Sequence, residues 1–396
     1  MAKKNPIDNL FPENGRLLLT GGGKEFIEKI GVEAAKTVVL GVLKGDNIRA
    51  QTEPLTRRRV AMVSNAMIAL FTKGWTESPD FTENLSGLAV AQLTASRQSD
   101  NASTWPAQWL IGLTGKSVQN VIRGRSEARD LYLEEFETAV NEAAAKSLED
   151  FGDANLSLGF IENDGQQLRP LTWTDLTRLA TAIGCATLTI RGSDKSTYGK
   201  LFERLVLGSI LTIMGFELVE GPKSLKIDKV FWLSDSSDTR ECDATIRFKA
   251  NKLIRFDIGF IGAGNSEISK DKLTRYASEV KVAGQVALSK TFIIVDKLPK
   301  SAKTLEDAAK TGAEIIQMSM KFWPVELAAK LQKHLGFEPE ILSIRDENAL
   351  EQYLAEKIAP IRIQDFLAGV TAADLDTDSE LGSAAAQLAL YEDDEE

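Results

Sequence analysis

The sequence predicts an α/β fold: a mixed sheet flanked by helices, preceded by a mainly α-helical N-terminal domain. Three observations lead there. Apolar residues recur at helical spacing over Lys24–Leu43, Arg57–Phe71 and Ser117–Leu148. From Tyr198 the pattern changes: an amphipathic helix runs to Met214, is closed by Gly215, and is followed by four short strand-like runs. Helical and apolar segments then alternate up to Gly336, the order that builds a sheet with helices on its faces.

Residues 1–165 form the helical domain. Gly21-Gly22-Gly23 breaks the chain after Leu17-Leu18-Leu19, Pro79 and Pro106 punctuate loops, and Gly152-Asp153-Ala154-Asn155 marks a boundary. Residues 166–340 form the sheet-containing core. It opens with a short helix, Trp173–Ile183, for which Thr172 is a candidate N-cap. The strand runs are Phe216–Val219, Val230–Leu233, Glu241–Phe248 and Leu253–Phe260. A helix over Lys270–Leu288, a buried strand over Thr291–Val295, a helix near Thr304–Thr311, a strand over Glu314–Met318 and a helix over Lys321–Leu335 complete the core. Residues 341–370 add a helical segment. The stretch 371–396 carries 9 acidic residues and no basic one, the composition of a solvated, disordered tail.

Composition narrows the chemistry. With 43% hydrophobic and 26% charged residues among 396, the chain can bury a sizeable core. No apolar run is long enough to cross a bilayer, and the start carries no secretion signal, so a cytoplasmic protein is expected. Cys185 and Cys242 read as buried thiols in a reducing compartment. His334 is the sole histidine, which disfavours Ser–His and Cys–His catalysis and multi-histidine zinc sites. Asp, Glu and Lys remain, and carboxylates suit hard cations such as magnesium. The net charge of −10 opposes binding to nucleic acid, but residues 191–303 hold 20 basic and 14 acidic side chains. Charge placement decides binding more than the total does.

The chemical signal sits on two adjacent strand runs. In Arg240-Glu241-Cys242-Asp243-Ala244-Thr245-Ile246, alternation puts Glu241, Asp243 and Thr245 on one face and Cys242, Ala244 and Ile246 towards the core. In Arg255-Phe256-Asp257-Ile258-Gly259-Phe260, the face with Arg255, Asp257 and Gly259 opposes the face with the large apolar residues. The four residues Lys249–Lys252 are short enough for a hairpin, so both aspartates can reach one point at the sheet edge. Two nearby carboxylates repel each other, and a divalent cation relieves that repulsion.

This arrangement resembles the PD-(D/E)XK nuclease superfamily, over about Tyr198–Met318. Glu203 matches the helix glutamate, Asp243 the first metal-binding acid and Asp257 the second. The lysine expected two positions after the second acid is absent, because Gly259 stands there. Either Lys270 or Lys272 on the next helix takes its part, or the site works without it. Two longer blocks, Tyr198-Gly199-Lys200-Leu201-Phe202-Glu203-Arg204-Leu205-Val206-Leu207-Gly208 and Asp257-Ile258-Gly259-Phe260-Ile261-Gly262-Ala263-Gly264-Asn265-Ser266-Glu267-Ile268, are similar to type II restriction endonucleases of the CfrBI type.

The resemblance implies Mg2+-dependent hydrolysis of phosphodiester bonds in double-stranded DNA at a short, palindromic site. It implies a homodimer paired with a DNA methyltransferase. Asp243, Asp257 and the Ile258 carbonyl are the implied metal ligands, with Glu203 holding a second ion or a water. Candidate DNA contacts are Lys116, Gln119, Asn120, Arg123 and Arg125 on a helix start, together with Lys200 and Asn265; Gln and Asn suit adenine, and Arg suits guanine. Arg57-Arg58-Arg59 reads as a surface run able to touch phosphate, and Trp105 and Trp109 read as core.

Two rival readings exist. The string Ile258–Asn265 resembles the phosphate-binding turn of NAD(P)-dependent reductases, but Glu267 occupies the third glycine position and no acid ends a second strand at about the required 20-residue distance. A non-catalytic DNA-binding module is the other.

Overall fold

The computed structural model describes residues 6–78, 80–96, 100–114, 126–152, 159–163, 165–221, 228–234, 242–249, 252–260, 289–296 and 313–375. In chain order the helices are α1 (Pro6–Leu10), α2 (Glu13–Thr20), α3 (Gly23–Ile30), α4 (Val32–Leu43), α5 (Ile48–Glu77), α6 (Phe81–Ala95), α7 (Asn101–Leu110) and α8 (Ser126–Phe151). A hairpin of β1 (Phe160–Asn163) and β2 (Gln166–Pro170) precedes α9 (Trp173–Ile213). Then come β3 (Glu217–Leu218), β4 (Val230–Leu233), β5 (Ala244–Lys249), β6 (Lys252–Gly259), β7 (Ser289–Val295), β8 (Glu314–Gln317), α10 (Trp323–Leu335) and α11 (Glu347–Ile358). The chain forms two compact units: one holds the N-terminal residues to Gly21 with Thr56–Asp194, and the other holds Gly22–Leu55 with Lys195–Asp376.

The α/β expectation holds. The second unit carries a mixed sheet of six strands among the described residues, in the order β3-β4-β5-β6-β7-β8. β4, β5 and β6 pair antiparallel; β6, β7 and β8 run parallel. Register explains the packing. Phe231 pairs with Ile246, Ile246 with Ile254, Ala244 with Phe256, and Phe256 with Phe292, so these side chains share one face. All are at most 1% exposed. Burial of each large apolar side chain is worth roughly 1.5–3 kcal/mol. The Phe256 and Phe292 rings meet edge to face at 5.5 Å, and Phe337, just past α10, packs against Phe216 and Phe248. Gly336 ends α10 at φ 69°, the left-handed conformation that glycine adopts without strain.

The first unit is mainly helical, as expected, and Trp105 and Trp109 are core residues. Several local readings change. Pro106 lies inside α7 rather than in a loop. Ser103–Leu110 is buried throughout, and Asp100 accepts the Ser103 N–H at the helix start; this burial outweighs the roughly 3 kcal/mol helical penalty of proline. The short helix at Trp173 and the helix at Tyr198 are one 41-residue helix, α9. Gly184, Gly192 and Gly199 lie within this helix; a Cβ at each would meet nothing within 4 Å, and they weaken the helix without ending it. The β1–β2 hairpin was unexpected, although Asp164-Gly165 is a hairpin signal; Gly165 has φ 78°. Arg59 is not on a surface run: it is 2% exposed and ion-paired with Asp194. The helices expected over Lys270–Leu288 and Thr304–Thr311 lie outside the described residues.

Thr172 does cap α9. Its hydroxyl accepts the Asp175 N–H, and the Asp175 carboxylate accepts the Thr172 N–H at 2.9 Å, a reciprocal capping box. The same carboxylate binds Arg169 through two bonds of 2.8 Å and accepts the Thr82 hydroxyl at 2.6 Å. Burial alone would raise this carboxyl group, but the bonds from Arg169, Thr82 and Thr172 hold it down at about 2. A depressed folded-state pKa stabilises above the unfolded value near 4, and that stability is lost as pH falls towards 2. Asp175→Asn should therefore lower stability at pH 7 by about 2 kcal/mol and flatten the acid limb between about pH 5 and 2. Urea melts at stepped pH measure both effects; an unchanged acid limb refutes this assignment.

Candidate active site

The site is built from the β5–β6 hairpin. Thr245 pairs with Arg255 and Ala244 with Phe256, so continuing the register brings Asp243 level with Asp257. The strand begins only at Ala244; Asp243 sits in a bend just before it, both side chains half-buried. The bend is fixed on two sides. The Asp243 N–H donates to the Phe256 carbonyl at 2.8 Å, and the Asp243 carbonyl accepts from the Ser234 N–H at 3.1 Å. Its carboxylate then turns onto β6, where Oδ2 accepts the Ile258 N–H at 2.7 Å. The Asp243 carboxylate thus lies against the peptide that joins Asp257 to Ile258. A charged acceptor on a backbone N–H makes a strong, directional bond, so Asp243 is tied to β6 beside Asp257, at one end of the two central strands.

The bend also alters the alternation read from sequence. Cys242 is half-buried, and its sulfur lies 3.4 Å from the Thr245 hydroxyl. Cys185 is buried, and both thiols are free. Glu241 lies outside the described residues. On the far side of β6, Gly259, which stands where the resemblance to the PD-(D/E)XK superfamily called for lysine, pairs with Val295 of β7 and is buried.

The helix carrying Glu203 is linked to the same end of the hairpin through Arg204 and Ser234. Glu203 is half-buried on α9. Its neighbour Arg204 donates Nε to the Phe366 carbonyl at 3.0 Å, and its guanidinium also reaches the Ser234 carbonyl. Ser234 in turn is hydrogen-bonded to Asp243. One arginine therefore links the glutamate helix, the end of β4 and the first aspartate. The partners of Arg204 are 30 and 162 positions away, so no local signal in the sequence could have found them. Close packing supports the helix: a Cβ on Gly208 would lie 2.4 Å from the Phe366 ring.

The chain's sole histidine takes no part in this arrangement. His334 is bonded to Glu314 at 2.6 Å, beside Lys330. Burial pushes the Glu314 carboxyl up, but His334 and Lys330 hold it down at about 2.

Asp243, Asp257 and the backbone carbonyls beside them are hard-oxygen groups of the kind that magnesium takes. Among the described residues, no group of three or more His, Cys, Asp and Glu side chains stands together as a metal cage. Magnesium does not require such a cage: one or two carboxylates suffice when substrate phosphate and water complete the shell. Lys116, Gln119, Asn120, Arg123, Arg125, Asn265, Lys270 and Lys272 lie outside the described residues, whereas Lys200 is half-buried on α9, one turn before Glu203.

The sequence profile of the CfrBI restriction endonuclease family matches residues 32–303, more than half of the chain and all of the hairpin that carries both aspartates. The chain belongs to the CfrBI restriction endonuclease family. It is 29% identical over 366 residues to the type II restriction enzyme CfrBI of Citrobacter freundii, a match covering 91% of this chain and 98% of that enzyme. As a member of this family the chain is an endodeoxyribonuclease, and double-stranded DNA is its partner. Membership in the CfrBI family displaces the reductase reading of Ile258–Asn265 and the non-catalytic module. No helix among the described residues is long and apolar enough to cross a membrane.

Proposed function

We propose that this restriction endonuclease is a cytoplasmic, Mg2+-dependent homodimer that cleaves DNA at a short palindromic site, with Asp243 and Asp257 as its catalytic acids and a PD-(D/E)XK nuclease core. The observation that carries the reading is the Asp243 carboxylate bonded at 2.7 Å to the peptide beside Asp257. Asp243, Asp257 and the Ile258 carbonyl would hold the ion. Magnesium, when bound, supplies charge stabilisation at the phosphate and lowers the pKa of a bound water. Glu203 orients the attacking water or contributes to a second ion. Lys270 or Lys272 offsets the negative charge that builds on phosphorus oxygens as the water oxygen bonds to phosphorus and the ester oxygen leaves.

Sequence reading belongs to Lys116, Gln119, Asn120, Arg123, Arg125, Lys200 and Asn265. A two-fold symmetric site fits two copies of one chain, each cutting one strand. A methyltransferase of the same specificity would protect the host DNA.

Digestion of plasmid DNA tests the proposal. Discrete fragments with millimolar Mg2+, and none with EDTA, are expected. A smear would indicate cutting without site preference, and cutting in EDTA would remove the metal from the account.

A further inference from the structure

Arg204 follows Glu203 on α9, in a stretch where Leu201, Phe202, Leu205, Val206 and Leu207 are fully buried. A half-buried charge among apolar residues needs hydrogen-bond partners. Arg204 finds them away from its own helix: Nε donates to the Phe366 carbonyl at 3.0 Å, and Nη1 donates to the Ser234 carbonyl. Both acceptors are backbone oxygens. The planar guanidinium therefore fixes the path of the chain at two places and holds both at set angles. Each place is itself packed. Phe366 lies in the short helical turn Ile363–Leu367, with its ring 6.3 Å from that of Phe231 on β4 and against Gly208 of α9.

Ser234 follows β4 directly, and its N–H donates to the Asp243 carbonyl at 3.1 Å. β5 begins only at Ala244, so it is the Asp243 carboxylate, and not a strand carbonyl, that receives the Ile258 N–H at 2.7 Å. Where that carboxylate sits depends on the bend at Asp243. The bend depends on Ser234, and Arg204 holds Ser234. A path of hydrogen bonds thus runs from the residue beside Glu203 to the peptide beside Asp257.

We propose that Arg204 is a positioning residue for DNA cleavage: it locks the helix of Glu203 to the Ser234–Asp243 bridge and so sets the Asp243 carboxylate where it can share a cation with Asp257. This role rests on Asp243 and Asp257 being the metal-binding acids. Removing a group that orients a metal ligand costs about ten- to a hundredfold in metal affinity or activity. Lysine is no full substitute, because its ammonium is a point charge on a flexible stem and lacks the planar fork that spans two carbonyls.

Two measurements on the full chain test the role. Hydrogen exchange in the metal-free protein, read by mass spectrometry, reports the bend itself. In Arg204→Met the segments holding Asp243 and Ile258 should exchange faster than in wild type, while Phe292–Val295 in β7 keeps its protection. Mn2+ binding followed by electron paramagnetic resonance, with cleaved product DNA present, reports the consequence. Arg204→Met should weaken it about ten- to a hundredfold and Arg204→Lys by less. An arginine that only stabilised the fold would lower the melting temperature and leave Mn2+ affinity unchanged in the folded protein. Either readout at its wild-type value overturns the proposal: unchanged exchange would show that Arg204 does not hold the bend, and unchanged affinity that the bend does not serve the ion. Arg204→Lys decides both points should Arg204→Met fail to fold. Wild-type Mn2+ affinity in Asp243→Asn would instead remove the catalytic reading, whatever the exchange at Ile258 shows.

Discussion

Asp257→Asn should reduce DNA cleavage at least about a thousandfold while leaving the fold and DNA affinity near wild type. The substitution keeps size and polarity and removes one negative charge from the end of a central strand. If the ion is held mainly by two carboxylates, loss of one removes both its charge partner and the geometry that aims the attacking water. Asp243→Asn should behave alike, and it is the more discriminating of the two. Its amide oxygen can still accept the Ile258 N–H, so the bend at 2.7 Å survives and only the charge is lost. Asp243→Ala removes that bond as well and should also lower the melting temperature. Single-turnover cleavage and gel shift in Ca2+ separate chemistry from binding. Wild-type cleavage by either Asn variant contradicts the assignment.

Arg59→Met should destabilise the protein by about 3–5 kcal/mol. Arg59 and Asp194 are nearly sealed from water, with side chains 2% and 5% exposed. Arg59 Nε also donates to the Leu18 carbonyl at 2.9 Å. Without the guanidinium, the Asp194 carboxylate is left buried with no cation beside it, and its Oδ2 already lacks a hydrogen-bond partner. Stranding a buried charge is worth more than the pair itself. The double variant Arg59→Met/Asp194→Leu should therefore recover most of the loss, a non-additivity that urea melts can read. A surface arginine that touched phosphate would instead weaken DNA binding and leave stability unchanged.

The two residues also show what the sequence could and could not convey. The level pairing of Asp243 with Asp257 was legible because strand alternation is local: apolar positions fixed the core face, and a short connection fixed the hairpin. The register then followed. What escaped depended on partners far along the chain. Arg59 sits beside two other arginines and looks like a surface run until Asp194, 135 positions away, is brought to it. Pro106 suggests a loop until the burial of its whole helix is known. The short helix expected to end at Ile183 continues to Ile213. In the hairpin itself, the bend at Asp243 and the Arg204 anchor were invisible for the same reason, whereas Gly259, standing where the PD-(D/E)XK resemblance called for lysine, was plain and occupies a buried strand position paired to β7.

The most direct measurement is Mn2+ binding, followed by electron paramagnetic resonance, in the presence of cleaved product DNA whose phosphates complete the site without turnover. Wild type should bind the ion, and Asp243→Asn and Asp257→Asn should each weaken it at least about tenfold, with the double variant no weaker than either loss of the shared site implies. Wild-type affinity in both single variants would show that the two aspartates do not share an ion.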